Sequence, residues 1–128
     1  MKQKIATVLI VEDDPEMRSL LCDEFGTVGY HLQEAKDGNE ALRVALQSEP
    51  DVILTDLRMP AGGAEYINRL HTAAPHCPII VMTAFGDASL RAEVLQAGAS
   101  AYFDKPVRLA ALKQKVEALL NDARNTRP

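Results

Sequence analysis

Several apolar runs of this chain end in residues able to handle a metal ion or a phosphoryl group. Val8-Leu9-Ile10-Val11 leads into Glu12, Asp13 and Asp14, and Val52-Ile53-Leu54 leads through Thr55 into Asp56. Ile79-Ile80-Val81-Met82 ends at Thr83, and Ala101-Tyr102-Phe103-Asp104 runs into Lys105 just before Pro106. Carboxylates gathered in one cleft repel each other and raise their own pKa values unless a cation sits among them. Oxygen ligands without His or Cys suit Mg²⁺, which keeps waters and binds through one or two carboxylates plus phosphate oxygens. Thr83 would offer such a phosphate a hydroxyl donor and Lys105 a point charge. Phosphoryl transfer needs mostly positioning and charge neutralisation, so a carboxylate can attack, and Asp56 is the natural nucleophile.

Taken singly, each residue has a plainer reading. An Asp after a strand often caps a helix or turns the chain, and Asp14 before Pro15 is assigned to that role. Thr83 alone reads as a strand-end Thr and Lys105 alone as a solvated surface residue. The chemistry depends on all of them meeting at one end of one sheet.

The elements that must bring them together follow from periodicity. Apolar β-type runs at Thr7 to Val11, His31 to Ala35, Val52 to Asp56, Ile79 to Thr83 and Ala101 to Asp104 alternate with 3.6-period stretches, the rhythm of an α/β fold. Met17, Leu20, Leu21 and Phe25 mark one helix face, Leu42, Ala45 and Leu46 a second, and Tyr66, Ile67 and Leu70 a third. Leu90, Val94 and Leu95 mark a fourth, and Leu109, Leu112, Val116, Leu119 and Leu120 a fifth. Asp14, Asn39 and Asp87 are N-cap candidates and Gly98 a C-terminal stop. The runs from Val8, Val52 and Ile79 are continuously apolar, as strands buried on both faces are, whereas the His31 and Ala101 runs read as edges. Right-handed crossovers then give a doubly wound parallel sheet of order 2-1-3-4-5. Its switch point lies between strands 1 and 3, which sets Asp13 opposite Asp56.

The 128 residues carry 14 Lys and Arg against 18 Asp and Glu, a net charge of −4. That length supports one domain with its own core and excludes a disulfide-stapled miniprotein. The acidic balance excludes a basic nucleic-acid footprint. Cys22 and Cys77 have no metal-ligand or disulfide spacing and read as reduced thiols. No apolar run approaches the ~18 residues of a membrane span, and residues 1 to 6 lack a signal-type apolar region. A cytoplasmic domain over residues 1–121 is expected, followed by a polar tail or linker start at 122–128. His31, His71 and His76 read as surface residues, and no glycine-rich nucleotide motif is present.

Val8-Leu9-Ile10-Val11-Glu12-Asp13-Asp14-Pro15, Asp56-Leu57-Arg58-Met59-Pro60, Met82-Thr83-Ala84 and Tyr102-Phe103-Asp104-Lys105-Pro106 resemble, in the expected order, the receiver domain of two-component response regulators. The likeness spans about residues 6 to 121. It implies a flavodoxin-like (βα)5 fold and a phosphoacceptor, Asp56, charged by a phosphohistidine of a sensor histidine kinase or phosphotransfer protein. It implies Mg²⁺ held by Asp13, Asp56 and the main-chain carbonyl of Arg58, with Glu12 acting mainly through a bound water. Thr83 and Lys105 match the phosphoryl-contacting hydroxyl and ammonium, and the Lys105-Pro106 peptide is expected to be cis. Thr83 and Tyr102 would form the switch, read out by a downstream effector domain or protein on helix 4, strand 5 and helix 5. A phosphorylation-dependent dimer is compatible with this. The chain's own catalysis would stop at self-phosphorylation and slow hydrolysis.

The sequence departs from the family at three places. Pro60-Ala61-Gly62-Gly63-Ala64 is about one residue short and lacks an Asp before its Gly, so helix 3 is expected to start on a Gly cap. Arg58 and Phe85 flank the approach of hydrolytic water. Gly98-Ala99-Ser100-Ala101-Tyr102 lacks the acidic pair of winged-helix regulators, which puts their charged dimer interface in doubt. Two rival readings are an aspartate-dependent phosphohydrolase of the haloacid dehalogenase type and a degenerate receiver serving only as an interaction module. The first expects an Asp-x-Asp nucleophile motif after strand 1, whereas Arg58 stands two places after Asp56; the second conflicts with the complete set of site residues.

Overall fold

The computed structural model describes residues 5–57, 63–84 and 86–126, with side chains up to residue 123. Ten elements alternate: β1 (Thr7–Val11), α1 (Pro15–Val28), β2 (His31–Ala35), α2 (Gly38–Ser48), β3 (Val52–Asp56), α3 (Ala64–Ala73), β4 (Ile79–Thr83), α4 (Ala88–Ala97), β5 (Ala101–Asp104) and α5 (Leu109–Thr126). The strands pair in parallel in the order β2-β1-β3-β4-β5, the order expected from the apolar runs and crossover handedness. β3 and β4 are buried along their whole length, while β2 and β5 keep exposed or half-buried positions at the two edges.

Alternate residues of each strand feed two cores, because side chains in a strand point to opposite faces. Leu9, Val11, Ile53, Ile79 and Val81 pack under α2, α3 and α4, against Ala41, Ala45, Ile67, Leu70 and Val94. Val8, Ile10, Leu54, Ile80 and Met82 pack under α1 and α5, against Leu21, Phe25, Leu112 and Val116. A Lys113 to Glu24 ion pair at 2.7 Å joins the two helices of that second face. No helix among the described residues is long and apolar enough to cross a membrane.

Local signals place the helix ends. The Asp14 carboxylate accepts from the Glu16 N–H at 3.0 Å, with Pro15 in the first helical turn, and Asp87 accepts from the Leu90 N–H at 2.8 Å. Asn39 does not cap α2. Asp37 does, accepting from the Glu40 N–H at 2.8 Å, while the Glu40 side chain accepts from the Lys36 N–H at 3.2 Å. An Asp two residues upstream reaches the exposed third amide, and Asn39 is already inside the helix. Gly63 opens α3 with no side-chain cap, at φ 102°. Gly98 closes α4 at φ 126°, and a Cβ there would sit 2.6 Å from the His71 ring, so the close approach of α3 also requires glycine. α5 continues to Thr126.

The helix faces are narrower than the apolar pattern suggests. Leu20, Leu46 and Leu95 lie at 44%, 65% and 38% exposure, respectively. In α2 the small Ala41 takes the buried position beside Ala45, while Leu46 faces outward.

Candidate functional site

The carboxyl ends of β1 and β3 are adjacent, with Val11 registered on Thr55, so the residues that follow them open onto one cleft. Glu12 remains attached to the sheet through its N–H, which donates to the Ala35 carbonyl at 3.0 Å, and its side chain is buried. Asp56 is the last residue of β3 and is 4% exposed, whereas Asp13 is exposed at the mouth. Carboxylate oxygens of Glu12, Asp13 and Asp56 all lie within 4.8 Å of one another. On the far side, β5 is tied to β4 where the Lys105 N–H donates to the Thr83 carbonyl at 2.8 Å. The Lys105-Pro106 peptide bond is cis, as expected.

Lys105 holds this cluster together. Its Nζ donates to Glu12 Oε1 at 2.8 Å and to Asp56 Oδ2 at 3.0 Å. Burial works to lower the Lys105 pKa, but these two charge-assisted bonds outweigh it and the net displacement is upward. Glu12 is also pushed above the usual carboxylate range. Its burial dominates, and the Asp56 charge adds to an effect that the Lys105 bond only partly offsets.

A second cation braces the pocket from behind. Arg18 on α1 donates from Nη1 to the Glu12 carbonyl at 2.7 Å and from Nε to Glu34 Oε1 at 3.3 Å, fixing the turn that presents Glu12 and Asp13. On the β4 side, Thr83 is buried, and its methyl group and the Tyr102 hydroxyl crowd the Gly86 backbone. Sequence periodicity gave no reason to single out Arg18 or Gly86. Their roles come from contacts across the cleft, although the i+4 spacing of Arg18 from Asp14 places it over the strand end.

The donor set suits a hard divalent ion: three carboxylates supply oxygen only, two of them buried, and the negative charge of Glu12 and Asp56 exceeds what the single ammonium of Lys105 neutralises. Glu12, Asp13, Asp56 and Lys105 are therefore brought together as the strand ends imply, with Thr83 at the neighbouring strand end. The expected contributions of the Arg58 carbonyl and of Phe85, and most of the shortened loop from Pro60 to Gly62, lie outside the described residues.

A doubly wound sheet with an acidic cluster and a Lys at its switch point defines a class, and comparison with known proteins gives the family. The response regulator receiver domain matches residues 8–117, and the chain belongs to that family. It is 36% identical over 122 residues to the response regulator MprA of Mycobacterium leprae, covering 94% of this chain and 52% of that protein. It is 34% identical over 121 residues to the sensor histidine kinase RcsC of Salmonella typhi, covering 94% of this chain and 13% of that protein. The chain thus spans about half or less of the length of these relatives. A CheY-like receiver domain protein from Methanospirillum hungatei JF-1 superposes with a TM-score of 0.93 at 25% identity, covering 97% of this chain and all of that one.

Proposed function

We propose that Asp56 accepts a phosphoryl group from a phosphohistidine of a sensor histidine kinase or phosphotransfer protein. The observation that carries this reading is the pair of hydrogen bonds that Lys105 Nζ donates to Glu12 and Asp56 inside a three-carboxylate cluster. A carboxylate oxygen of Asp56 forms the new bond to phosphorus as the bond to the imidazole nitrogen breaks, and the electron pair leaves with that nitrogen. Asp13, Asp56 and the main-chain carbonyl of Arg58 would hold Mg²⁺, with Glu12 acting through water. The ion supplies charge neutralisation for the phosphoryl oxygens. Lys105 exchanges part of its bonding from Asp56 to a phosphoryl oxygen, and the Thr83 hydroxyl donates to another. Turnover by the chain itself stops at self-phosphorylation and slow hydrolysis, so its output is a change in affinity for an effector domain or protein.

The added charge and acceptor oxygens draw Thr83 toward Asp56 and bias the Tyr102 side chain, so the readout lies on α4, β5 and α5. Incubation with acetyl phosphate and Mg²⁺ followed by intact mass measurement should give one labile phosphoryl adduct. The adduct should be absent when EDTA is present during the reaction. Rapid multiple turnover of a small phosphate ester would favour a phosphohydrolase instead.

A further inference from the structure

Tyr66 carries a hydroxyl into a place where a phenyl ring alone would satisfy the packing. It sits in the first turn of α3, 3% exposed, within the apolar cluster of Ile53, Leu57 and Ile67. The phenolic oxygen lies 2.9 Å from Thr55 Oγ1, and Thr55 Oγ1 donates in turn to the Asp56 carbonyl at 2.9 Å. A threonine hydroxyl has one proton, and this one is committed to the Asp56 carbonyl. The direction of the chain is thereby fixed: Tyr66 donates to Thr55, and Thr55 donates to Asp56. Burial raises the Tyr66 pKa, so the phenol keeps its proton and stays a donor.

The relay ends on the Asp56-Leu57 peptide group at the carboxyl end of β3. Asp56 is the last residue of β3, and the N–H of the same Asp56-Leu57 peptide reaches the Met82 carbonyl at 3.3 Å, at the long end of hydrogen-bond range. The hydroxyl relay grips the other side of that plane, the carbonyl. Orientation of the plane sets the backbone of Asp56 and so the direction in which its carboxylate leaves the strand.

We propose that Tyr66 is a positioning residue for the phosphoryl-accepting site, acting through Thr55 on the Asp56 peptide and thereby on the aim of the Asp56 carboxylate. This inference rests on Asp56 being the acceptor. Outer-shell groups that orient a ligand commonly change metal affinity or activity by 10-fold or more, and loss of this relay is assigned the lower end of that range.

The test uses the full chain in six forms: wild type, Tyr66→Phe, Thr55→Val, their double variant, Thr55→Ser and Asp56→Asn. Three quantities are measured: the Leu57 amide resonance in metal-free protein, Mg²⁺ affinity by titration, and the rate of labelling by acetyl phosphate. Tyr66→Phe should shift the Leu57 resonance and weaken Mg²⁺ binding and slow labelling by about tenfold. Thr55→Val should do the same, and the double variant should be no worse than the more impaired single one, because both substitutions cut one chain. Thr55→Ser, which keeps the hydroxyl, should retain wild-type values. A purely packing role predicts that Tyr66→Phe changes thermal stability while leaving all three quantities untouched, and that result overturns the proposal. So does multiplication of the two single effects in the double variant. Labelling that persists undiminished in Asp56→Asn would overturn the acceptor assignment, whereas an unmoved Leu57 resonance in Tyr66→Phe would overturn the relay, so the two failures are distinguishable.

Discussion

The Tyr102 hydroxyl occupies the space that a Cβ on Gly86 would fill. The Gly86 backbone has no left-handed φ, so glycine is needed there for room rather than for conformation. The same hydroxyl is enclosed, with the Asp104 carboxylate near it. Tyr102 thus packs against Thr83 and Gly86 and leaves no room for a side chain at position 86.

Gly86→Ala should eject Tyr102 from this position. Burial, followed by the nearby Asp104 charge, holds the Tyr102 phenol above its ordinary pKa, and ejection should return it toward that value. Because tetranitromethane attacks the phenolate, nitration of Tyr102, resolved from Tyr30 and Tyr66 by peptide mapping, should be faster in the variant. Equal nitration rates in the two proteins would show that the contact does not hold the ring.

All five strand spans and their order were legible because each buried strand is a continuous apolar run and right-handed crossovers leave few arrangements, of which 2-1-3-4-5 meets every constraint. The acidic residues and Lys105 could be read as one site for the same reason, since strand ends in a parallel sheet lie on one side. Less legible were features set by distance between elements. Leu46 fits a helical stripe as well as Ala41 does, and only the rotation of α2 about its axis, seen in which residues are buried, decides between them. Asn39 and Asp37 are equally acceptable cap types, and the start of the helix selects Asp37. Arg18 and the Tyr66 hydroxyl act through contacts that cross from helix to strand end, which no periodicity records.

Lys105→Ala should destabilise the metal-free protein by about 1–3 kcal/mol. This is less than the cost of breaking a fully buried pair, because the Lys105 side chain is 20% exposed. Mg²⁺ should then raise the melting temperature of the variant more than that of the wild type, since the ion would take over the neutralisation of Glu12 and Asp56. The native pKa of Lys105 is raised, so its contribution is fully present below the ordinary value of 10.5 and is lost as pH rises through the folded value. The stability difference between the two proteins should therefore close in strong alkali. An identical Mg²⁺ effect on both melting temperatures would argue against a shared pocket.

The Cys22 thiol should be sluggish toward alkylation in the folded chain. Burial, followed by the charge of Glu34, pushes its pKa up to about 11 from an ordinary 9.0. Iodoacetamide labelling of Cys22 at neutral pH should be much slower in native protein than in urea, and the native rate should climb as pH approaches about 11. The unfolded thiol ionises first, so the stability contribution is intact below 9.0 and declines between 9.0 and about 11. Equal labelling rates in the native and unfolded states at neutral pH would contradict this environment.

The most direct test of the central claim is to locate the phosphoryl group chemically. Borohydride reduces an acyl phosphate to an alcohol, so protein labelled with acetyl phosphate and Mg²⁺, then reduced and digested, should yield homoserine at position 56 and unchanged aspartate at position 13. Recovery of the reduced residue at Asp13 or Glu12, or an adduct that resists reduction while Asp56 stays intact, would contradict the assignment of Asp56 as phosphoacceptor.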